Sequence, residues 1–335
     1  MQTNCLVLFS GGLDSILACK VLEEQGIRPI ALQFVSPFFG HELLGSRDTY
    51  CEKTGQKYGL EIHLIDITEE FLKMVIDPPH GYGRYLNPCI DCKILMVKKA
   101  LSVMKDFGAT FIATGEVVGQ RPMSQRKDTL RIIERQSGAE GLLLRPLSAR
   151  YLPRTLVEKK GIVRRELLPA ISGRGRKQQM KLAGRYNIHG YPAPAGGCVL
   201  TDPILSERFK KIFETWPNFT KVDCIAAQTG RHFLLNDKSW VMVGRKHAEN
   251  LRLESLSLPS DILIKPAQVP GPSCILRYPS SHQAIEIAGS ICARYCKHDQ
   301  RLPFKALILS QCDNLSKTIL VKRPATDQEL KKWRF

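Results

Sequence analysis

Apolar residues come in short runs over the first third of the chain, separated by stretches with helical spacing. "CLVLF" is followed by "DSILACKVLEEQG", whose apolar positions recur at helical intervals. The alternation continues with the strand "PIALQFV", a helix around 46–59, the strand "EIHLIDI", a helix near 92–106 and the strand "TFIATG". Strands separated by helices of this length imply an α/β fold: a parallel sheet with helices on both faces. Ligands of such sheets bind beyond the carboxyl ends of the strands. Residues 10–15, 34–36 and 114–116 are expected along that edge. The sheet domain is expected over residues 1–204. A connection "ISGRGRKQQ", read as mobile and basic, precedes its helix "KQQMKLAGRY".

The texture changes over residues 205–335. "HFLLNDKSWVMVGRK" predicts two strands joined at Asn236-Asp237-Lys238-Ser239, and "DILIKPAQVPGPSCILRY" two more around a Pro-Gly-Pro turn. "HQAIEIAGSICARYCK" predicts a helix with Ile285, Ala288, Ile291, Cys292 and Ala293 on its apolar positions. "FKALILSQ" and "KTILVKRP" read as a strand pair. A second, smaller α+β domain is therefore expected.

Charge adds a partner to this picture. The chain of 335 residues has 49 Lys and Arg against 32 Asp and Glu, a formal net charge of +17. That excess favours polyanions, nucleic acid above all. No apolar run approaches the roughly 20 residues of a membrane span. The first strand begins too close to the N-terminus for a signal peptide. Eleven cysteines in such a chain argue for reduced thiols, some binding metal or doing chemistry, and for the cytoplasm.

Between the first strand and first helix lies Ser-Gly-Gly-Leu-Asp-Ser. Gly11 and Gly12 allow a phosphate to approach the backbone, and the helix start offers free amides and a positive dipole end. Ser10 and Ser15 add hydroxyls. Asp14 is anionic, so beside a nucleotide it would work through Mg²⁺ or substrate positioning. The Gly-Lys-Ser/Thr of an ordinary nucleotide-hydrolase loop is missing. At these residues the sequence resembles the PP-loop family of ATP pyrophosphatases, whose pattern is Ser-Gly-Gly-x-Asp-Ser. The resemblance implies that the loop binds the β,γ-pyrophosphate of ATP, that the α-phosphate is attacked, and that an adenylated substrate results. No γ-phosphate lysine is then needed. With the edge positions, it implies ATP contacts from Phe9, Ser10, Gly11, Gly12, Asp14, Ser15, Phe34, Thr114, Gly115 and Gln120.

"LNPCIDCK" carries Cys89 and Cys92, and "AGGCVLTDP" carries Cys198. A Cys-x-x-Cys turn offers two thiolates to one metal or cluster, and the loop of Cys198 could close over the same site. Three thiolates suit a [4Fe–4S] cluster with one open iron able to hold sulfide. Zinc would want a fourth ligand, for which His80 and His189 are candidates. Both segments resemble the cysteine segments of iron–sulfur-dependent tRNA thiouridine synthetases. "ATGEVVGQRPMSQ", with Thr114, Gly115, Glu116, Gln120, Ser124 and Gln125, resembles the catalytic domain of 4-thiouridine synthetases of the ThiI type, and "LLRPL" around Arg145 fits the same pattern. The resemblance covers roughly residues 4–205.

It implies an ATP-dependent tRNA sulfurtransferase with Asp14, Cys89, Cys92 and Cys198 as catalytic residues. The product would be 4-thiouridine, or 2-thiouridine as in cluster-bearing relatives. Sulfur would come from free sulfide or from a sulfur-carrier and cysteine desulfurase system. In some relatives similarly placed cysteines work as a persulfide and its resolving partner, a route open to Cys89 or Cys92 with Cys198. With the loop already at Ser10 and no rhodanese pattern read after it, the reaction is expected to run without a THUMP-type or a rhodanese domain, sulfur coming from elsewhere. Lys93, Lys98 and Lys99 are candidates for orienting RNA or ATP.

"WVMVGRKHAENLRL" and "VPGPSCILRY" resemble the RNA-binding domain of NFACT proteins, with Lys246 in place of the usual Asn. Arg245, Lys246, His247, Arg252, Lys265 and Arg277 are expected to form its basic face toward RNA phosphates. Two other functions share some of these features. A small-molecule amide synthetase would use the same adenylation without the cysteines or the basic domain. A non-catalytic RNA-binding factor would have no need of Asp14.

Overall fold

Leu6, Val7 and Leu8 are apolar without alternation because their strand runs through the middle of a sheet covered on both faces. This strand, β1 (Asn4–Leu8), is buried from Cys5 on. It lies between β2 (Arg28–Val35) and β4 (Ala109–Thr114), parallel to both. β3 (Glu61–Asp66) and the short β5 (Leu143–Leu144) complete a five-stranded parallel sheet in the order β3-β2-β1-β4-β5. The computed structural model describes residues 2–192, 197–297, 304–310 and 315–335.

The helices of this part are α1 (Leu13–Glu23), α2 (Arg47–Tyr58), α3 (Thr68–Ile76), α4 (Cys89–Val103), α5 (Lys127–Ser137), α6 (Leu156–Lys159) and α7 (Lys177–Arg185). Eight of the eleven residues of α1 are buried, so it has little polar face. It packs with the sheet residues Val7, Phe111 and Ala113 and with Leu182 and Ala183 of α7. The chain divides into two compact units, Met1–Asp202 and Pro203–Phe335.

Three local readings are corrected. The segment after β3 forms α3, whose apolar residues Phe71 and Val75 are buried; the sequence pattern left it unassigned. The Cys-x-x-Cys segment is the first turn of α4 and not a separate turn. Pro88 at the cap position breaks the incoming chain, and Asp91 in the first turn suits the positive helix end, so the helix starts at Cys89. The "SGRGR" connection is tied down: Ser172 bridges Val118, and the Gly173 N–H donates to the Val118 carbonyl at 2.7 Å.

The second unit has α8 (Pro203–Thr215), α9 (Lys221–Ala226), β6 (Arg231–Leu234), β7 (Trp240–Val243), α10 (His247–Ser255), β8 (Ile262–Pro266), β9 (Cys274–Arg277), α11 (His282–Arg294), β10 (Phe304–Ser310), β11 (Leu315–Val321) and α12 (Asp327–Trp333). The strands form an antiparallel sheet in the order β11-β10-β8-β9-β7-β6. α11 lays Ala284, Ala288, Ile291 and Cys292 into the core with the sheet residues Val241, Ile264 and Leu276. Among the described residues no helix is long and apolar enough to cross a membrane.

Arg277 is not on a basic face. Its side chain is fully buried, with Nη1 2.8 Å from Asp223 and Nη2 2.7 Å from Asp261. The reason is positional: β9 is an interior strand, and its four residues are all buried.

His232 is buried beside this network. Its Nδ1 accepts from the Trp240 indole N–H at 3.0 Å and its Nε2 lies 2.9 Å from the Thr229 carbonyl. That pair of contacts fits the neutral ring with its proton on Nε2. Burial pushes the His232 pKa well down, helped by the charges of Arg208 and Arg245. The unfolded chain therefore binds a proton below about pH 6.5 that the folded unit refuses. Stability contributed by this histidine is present above that pH and lost as pH falls. We expect the denaturation midpoint of this unit to drop on acidification, with a slope of up to about 1.4 kcal/mol per pH unit. Trp216, Trp240 and Trp333 all lie in this unit, so tryptophan fluorescence reads it selectively. A His232→Phe variant with the same acid slope as the parent would refute the assignment.

Candidate active site

The loop between β1 and α1 closes on itself. The Ser15 hydroxyl donates to the Gly12 carbonyl at 2.8 Å and accepts from the Ser10 N–H at 3.2 Å. Gly11 has a positive φ of 70°. The side chains of Phe9 and Phe34 are buried, so from these two residues only the backbone is available to a ligand at the edge. Asp14 is held from the other side of the edge: the Gln120 amide donates to its Oδ2 at 2.9 Å. Its Oδ1 is buried without a hydrogen-bond partner. An orphaned buried carboxylate oxygen beside a phosphate-type loop fits a cation or a substrate donor.

The end of β4 comes very close to this loop. A Cβ on Gly115 would lie 2.5 Å from the Asp14 carbonyl group and 2.6 Å from the Ser15 nitrogen. Glycine is required there by space. The next residue, Glu116, is buried and pairs with the buried Arg145, Nε to Oε2 3.2 Å. Arg145 also donates to the Leu130 carbonyl at 3.1 Å, and Thr114 donates to Glu116 at 3.1 Å. Glu116 and Arg145 therefore brace the strand end from inside.

Cys89 and Cys92 lie three positions apart on the first turn of α4 and so share one side of it. Cys198 is anchored nearby at the end of β2: the N–H of the next residue, Val199, donates to the Phe38 carbonyl at 3.0 Å. The three thiols are partly exposed and unpaired, and close enough to act on one another electrostatically. Burial pushes each up, with Cys198 raising Cys92 further and Cys89 raising Cys198, which reaches about 12. The charge of Arg121 pulls Cys89 and Cys198 back down, and Lys93 does so for Cys89 and Cys92. Thus Gln120 is bonded to Asp14, and the charge of the next residue, Arg121, acts on Cys89 and Cys198.

An iron–sulfur cluster or zinc can be tested on this donor set. Three soft thiols fit either in chemistry, and the carboxylate beside them, Asp91, is taken by His80. The side chains as they stand do not form a closed ligand group: among the described residues, no three His, Cys, Asp or Glu stand close enough to hold a metal. The proposed fourth ligands are otherwise engaged, His80 with Asp91 at 2.8 Å and His189 with Asn187 at 2.7 Å. Of the lysines after the cysteines, Lys99 pairs with Glu70 at 2.7 Å and Lys98 is exposed.

The helix expected at "KQQMKLAGRY" is α7, and its place beside α1 is what the sequence does not show. α7 runs alongside α1: at their carboxyl ends Arg185 and Tyr186 bond Glu24, while residues 172 and 173, just before α7, are bonded to Val118 on the loop leading to Gln120. The amino end of α7, with Arg176 and Lys177, therefore opens toward the same edge. The glycines and basic residues of "SGRGRK" were visible; their distance in sequence from the loop hid the link.

In the second unit, Arg245 pairs with Glu249 at 2.6 Å and Lys265 with Glu254 at 2.8 Å. Lys246, His247 and Arg252 are exposed. Gly244, between Val243 and Arg245, seats Asn250: a Cβ there would lie 2.0 Å from the Asn250 Oδ1.

A parallel sheet with a Gly-Gly loop at the β1–α1 junction, an acidic residue on the first turn of α1 and thiols at the same edge define a nucleotide-binding domain of the PP-loop class. Residues 1–151 match the family described as thiamine biosynthesis protein (ThiI), and residues 230–334 match the NFACT protein RNA binding domain. The chain thus carries a ThiI-family PP-loop domain followed by a domain of the NFACT RNA-binding family. It is similar to tRNA-specific 2-thiouridylase MnmA 2 of Clostridium botulinum (strain Loch Maree / Type A3), 30% identical over 130 residues, 35% of either chain. It is also similar to a probable tRNA sulfurtransferase of Thermococcus kodakarensis, 29% identical over 137 residues, 41% of this chain and 35% of that protein. The chain spans about a third of the length of the curated relatives it matches. Among solved structures, a 4-thiouridine synthetase–RNA complex with bound ATP is similar with a TM-score of 0.35 and 21% identity, over 56% of this chain and 52% of that one.

Proposed function

We propose that this protein is an ATP-dependent tRNA sulfurtransferase. The observation that carries the reading is the placement of three thiols, two on the first turn of α4 and one held at the end of β2, along the edge where the β1–α1 loop presents the free Oδ1 of Asp14. The names of the curated relatives support tRNA and thiolation. A uridine carbonyl oxygen attacks the α-phosphorus of ATP, the bond to the β-phosphate breaks, and pyrophosphate leaves. The amides at residues 11–15 and the start of α1 hold the leaving group. Asp14, with its unpartnered Oδ1, would hold a Mg²⁺ that shields the pyrophosphate charge, and Ser10, Gly12, Ser15, Thr114 and Gly115 shape the nucleotide site. A sulfur nucleophile then adds at the activated carbon and AMP departs with the former carbonyl oxygen.

Cys89, Cys92 and Cys198 would hold a [4Fe–4S] cluster, which when bound supplies an open iron for sulfide. The competing route is a persulfide on one of these thiols, resolved by another. The Thr114 to Gln125 motif favours 4-thiouridine as product; the 2-thiouridylase names among the relatives favour 2-thiouridine as the alternative. Sulfur is free sulfide or comes from a desulfurase-fed carrier, and the second unit grips tRNA through Lys246 and Arg252.

Mass spectrometry of tRNA nucleosides from a strain lacking the gene tests the reading. Loss of one thiouridine is expected, and an unchanged profile would overturn it. Iron and sulfide analysis of anaerobic protein separates the routes: zinc, or full activity without iron, favours the persulfide. Gly115→Ala should also move the loop, at a cost of about 1–3 kcal/mol for overpacking. ATP binding by calorimetry should weaken by roughly 5- to 150-fold; parental affinity would show that the loop does not carry the nucleotide.

A further inference from the structure

The positive charge of the chain is concentrated away from the face expected from the sequence. Residues 150–185 contain eleven Lys and Arg against two Asp and Glu, more than half of the net +17. Some of these cations are engaged. Arg165 pairs with the buried Glu158 at 2.6 Å, and Arg185 pairs with Glu24. Arg154, Lys159, Lys160, Arg164, Arg174 and Lys177 are exposed, with no carboxylate partner among the described residues. Two of the basic residues expected to face RNA in the second unit are instead paired with glutamates, and Arg277 is buried.

The segment is folded into a fixed course. Arg165 donates to the Leu152 carbonyl at 2.8 Å, and the Arg164 N–H donates to Gln25, just beyond the carboxyl end of α1, at 2.8 Å. At its other end Gly173 is bonded to Val118, on the loop that leads to Gln120 and Arg121. The stretch from Arg164 to Arg174 therefore follows α1, about 16 Å long at 1.5 Å per residue, toward the edge where its loop opens, and Arg154, Lys159 and Lys160 lead into it from the turn that Leu156 bonds to Gly141. Tyr151, 42% exposed, and Leu167, 50% exposed, lie among them. Unpaired cations interleaved with an exposed ring and an apolar side chain suit a phosphate backbone with its sugars and bases. A membrane surface would call for a longer apolar helix than the four residues of α6.

We propose that residues 150–177 form a phosphate track that leads the RNA strand to the active-site edge. The proposal rests on the tRNA reading above and assigns the main electrostatic grip to the first unit. Removing one cation that neutralises a phosphate should flatten the log–log salt dependence by about 0.7–0.9.

The test uses the full chain and unfractionated tRNA in filter binding at several salt concentrations. Replacing Arg154, Lys159, Lys160 and Arg164 by Gln should flatten the slope by about three and weaken binding at least about tenfold near 0.1 M salt. Lys246→Gln with Arg252→Gln should change the slope by about half as much. Should the fourfold variant melt below the parent, Lys159→Gln with Lys160→Gln alone should still remove about half of the effect. Parental slope and affinity in the folded variants would overturn the track. So would variants that lose binding to phosphatidylglycerol vesicles but keep tRNA. A parent that binds no tRNA would overturn the track and the tRNA reading together. A parent that binds through the track, while the deletion strain keeps every thiouridine, would leave the track standing and remove the sulfurtransferase reading.

Discussion

Replacing Asp14 by Ala is expected to abolish tRNA-dependent AMP formation, while replacing Cys198 by Ala should leave AMP formation largely intact and abolish thiolation. The loop and the cysteines share one edge of the sheet but hold different chemistry. Asp14 has one oxygen fixed by Gln120 and the other buried and free. Removing a preorganised charge at a reacting phosphate costs about 10²–10³-fold or more in rate. Asp14→Asn keeps an acceptor for Gln120 and removes only the charge, so it should lose nearly as much. AMP formed at the parental rate by a folded Asp14→Asn protein would refute this role.

The cysteine arm has its own readout. Burial pushes the three thiols up, so at neutral pH each carries its proton until a metal or sulfur chemistry displaces it. Metal uptake by these thiols releases protons and should strengthen as pH rises from about 6 to 8. A Cys198→Ala protein that still thiolates tRNA would remove this residue from the sulfur route.

The second large effect is structural. Arg277→Met should destabilise the second unit by about 3–5 kcal/mol, because two carboxylates would remain buried without their cation. Asp223 and Asp261 are both fully buried against the guanidinium. Asp223 also accepts from Tyr278 at 3.0 Å and from the Thr220 N–H at 2.7 Å, capping α9. The loss would spread from β9 to that cap and to Trp216, stacked on Tyr278 with centroids 5.3 Å apart. Urea denaturation followed by tryptophan fluorescence measures it. A loss under about 1 kcal/mol would mean that the carboxylates find water or protons cheaply.

Much of the molecule was legible because local pattern and long-range packing agree. The run at Leu6 to Leu8 is apolar without alternation, and it is the central strand. The alternation of strands and helices through residue 114 forms the parallel sheet. The strands around Asn236-Asp237 and around Pro-Gly-Pro pair antiparallel as their turns suggest. Helix periodicity is hard to read where a helix is short, as in the nine residues of α3.

What the sequence by itself determined is the chemistry available: a Gly-Gly loop with Asp14, three cysteines and an excess of cations. Tertiary structure decided how each is used. Gln120 reaches Asp14 across 106 positions of chain, and Gly115 is glycine because another strand end meets the loop in space. Arg277 reads like any other arginine, yet β9 is an interior strand and its charge is consumed by two buried aspartates. Residue type sets which interactions are possible. Burial and partners decide which occur, because a charge taken from water must be paired while one left in water stays free for a ligand.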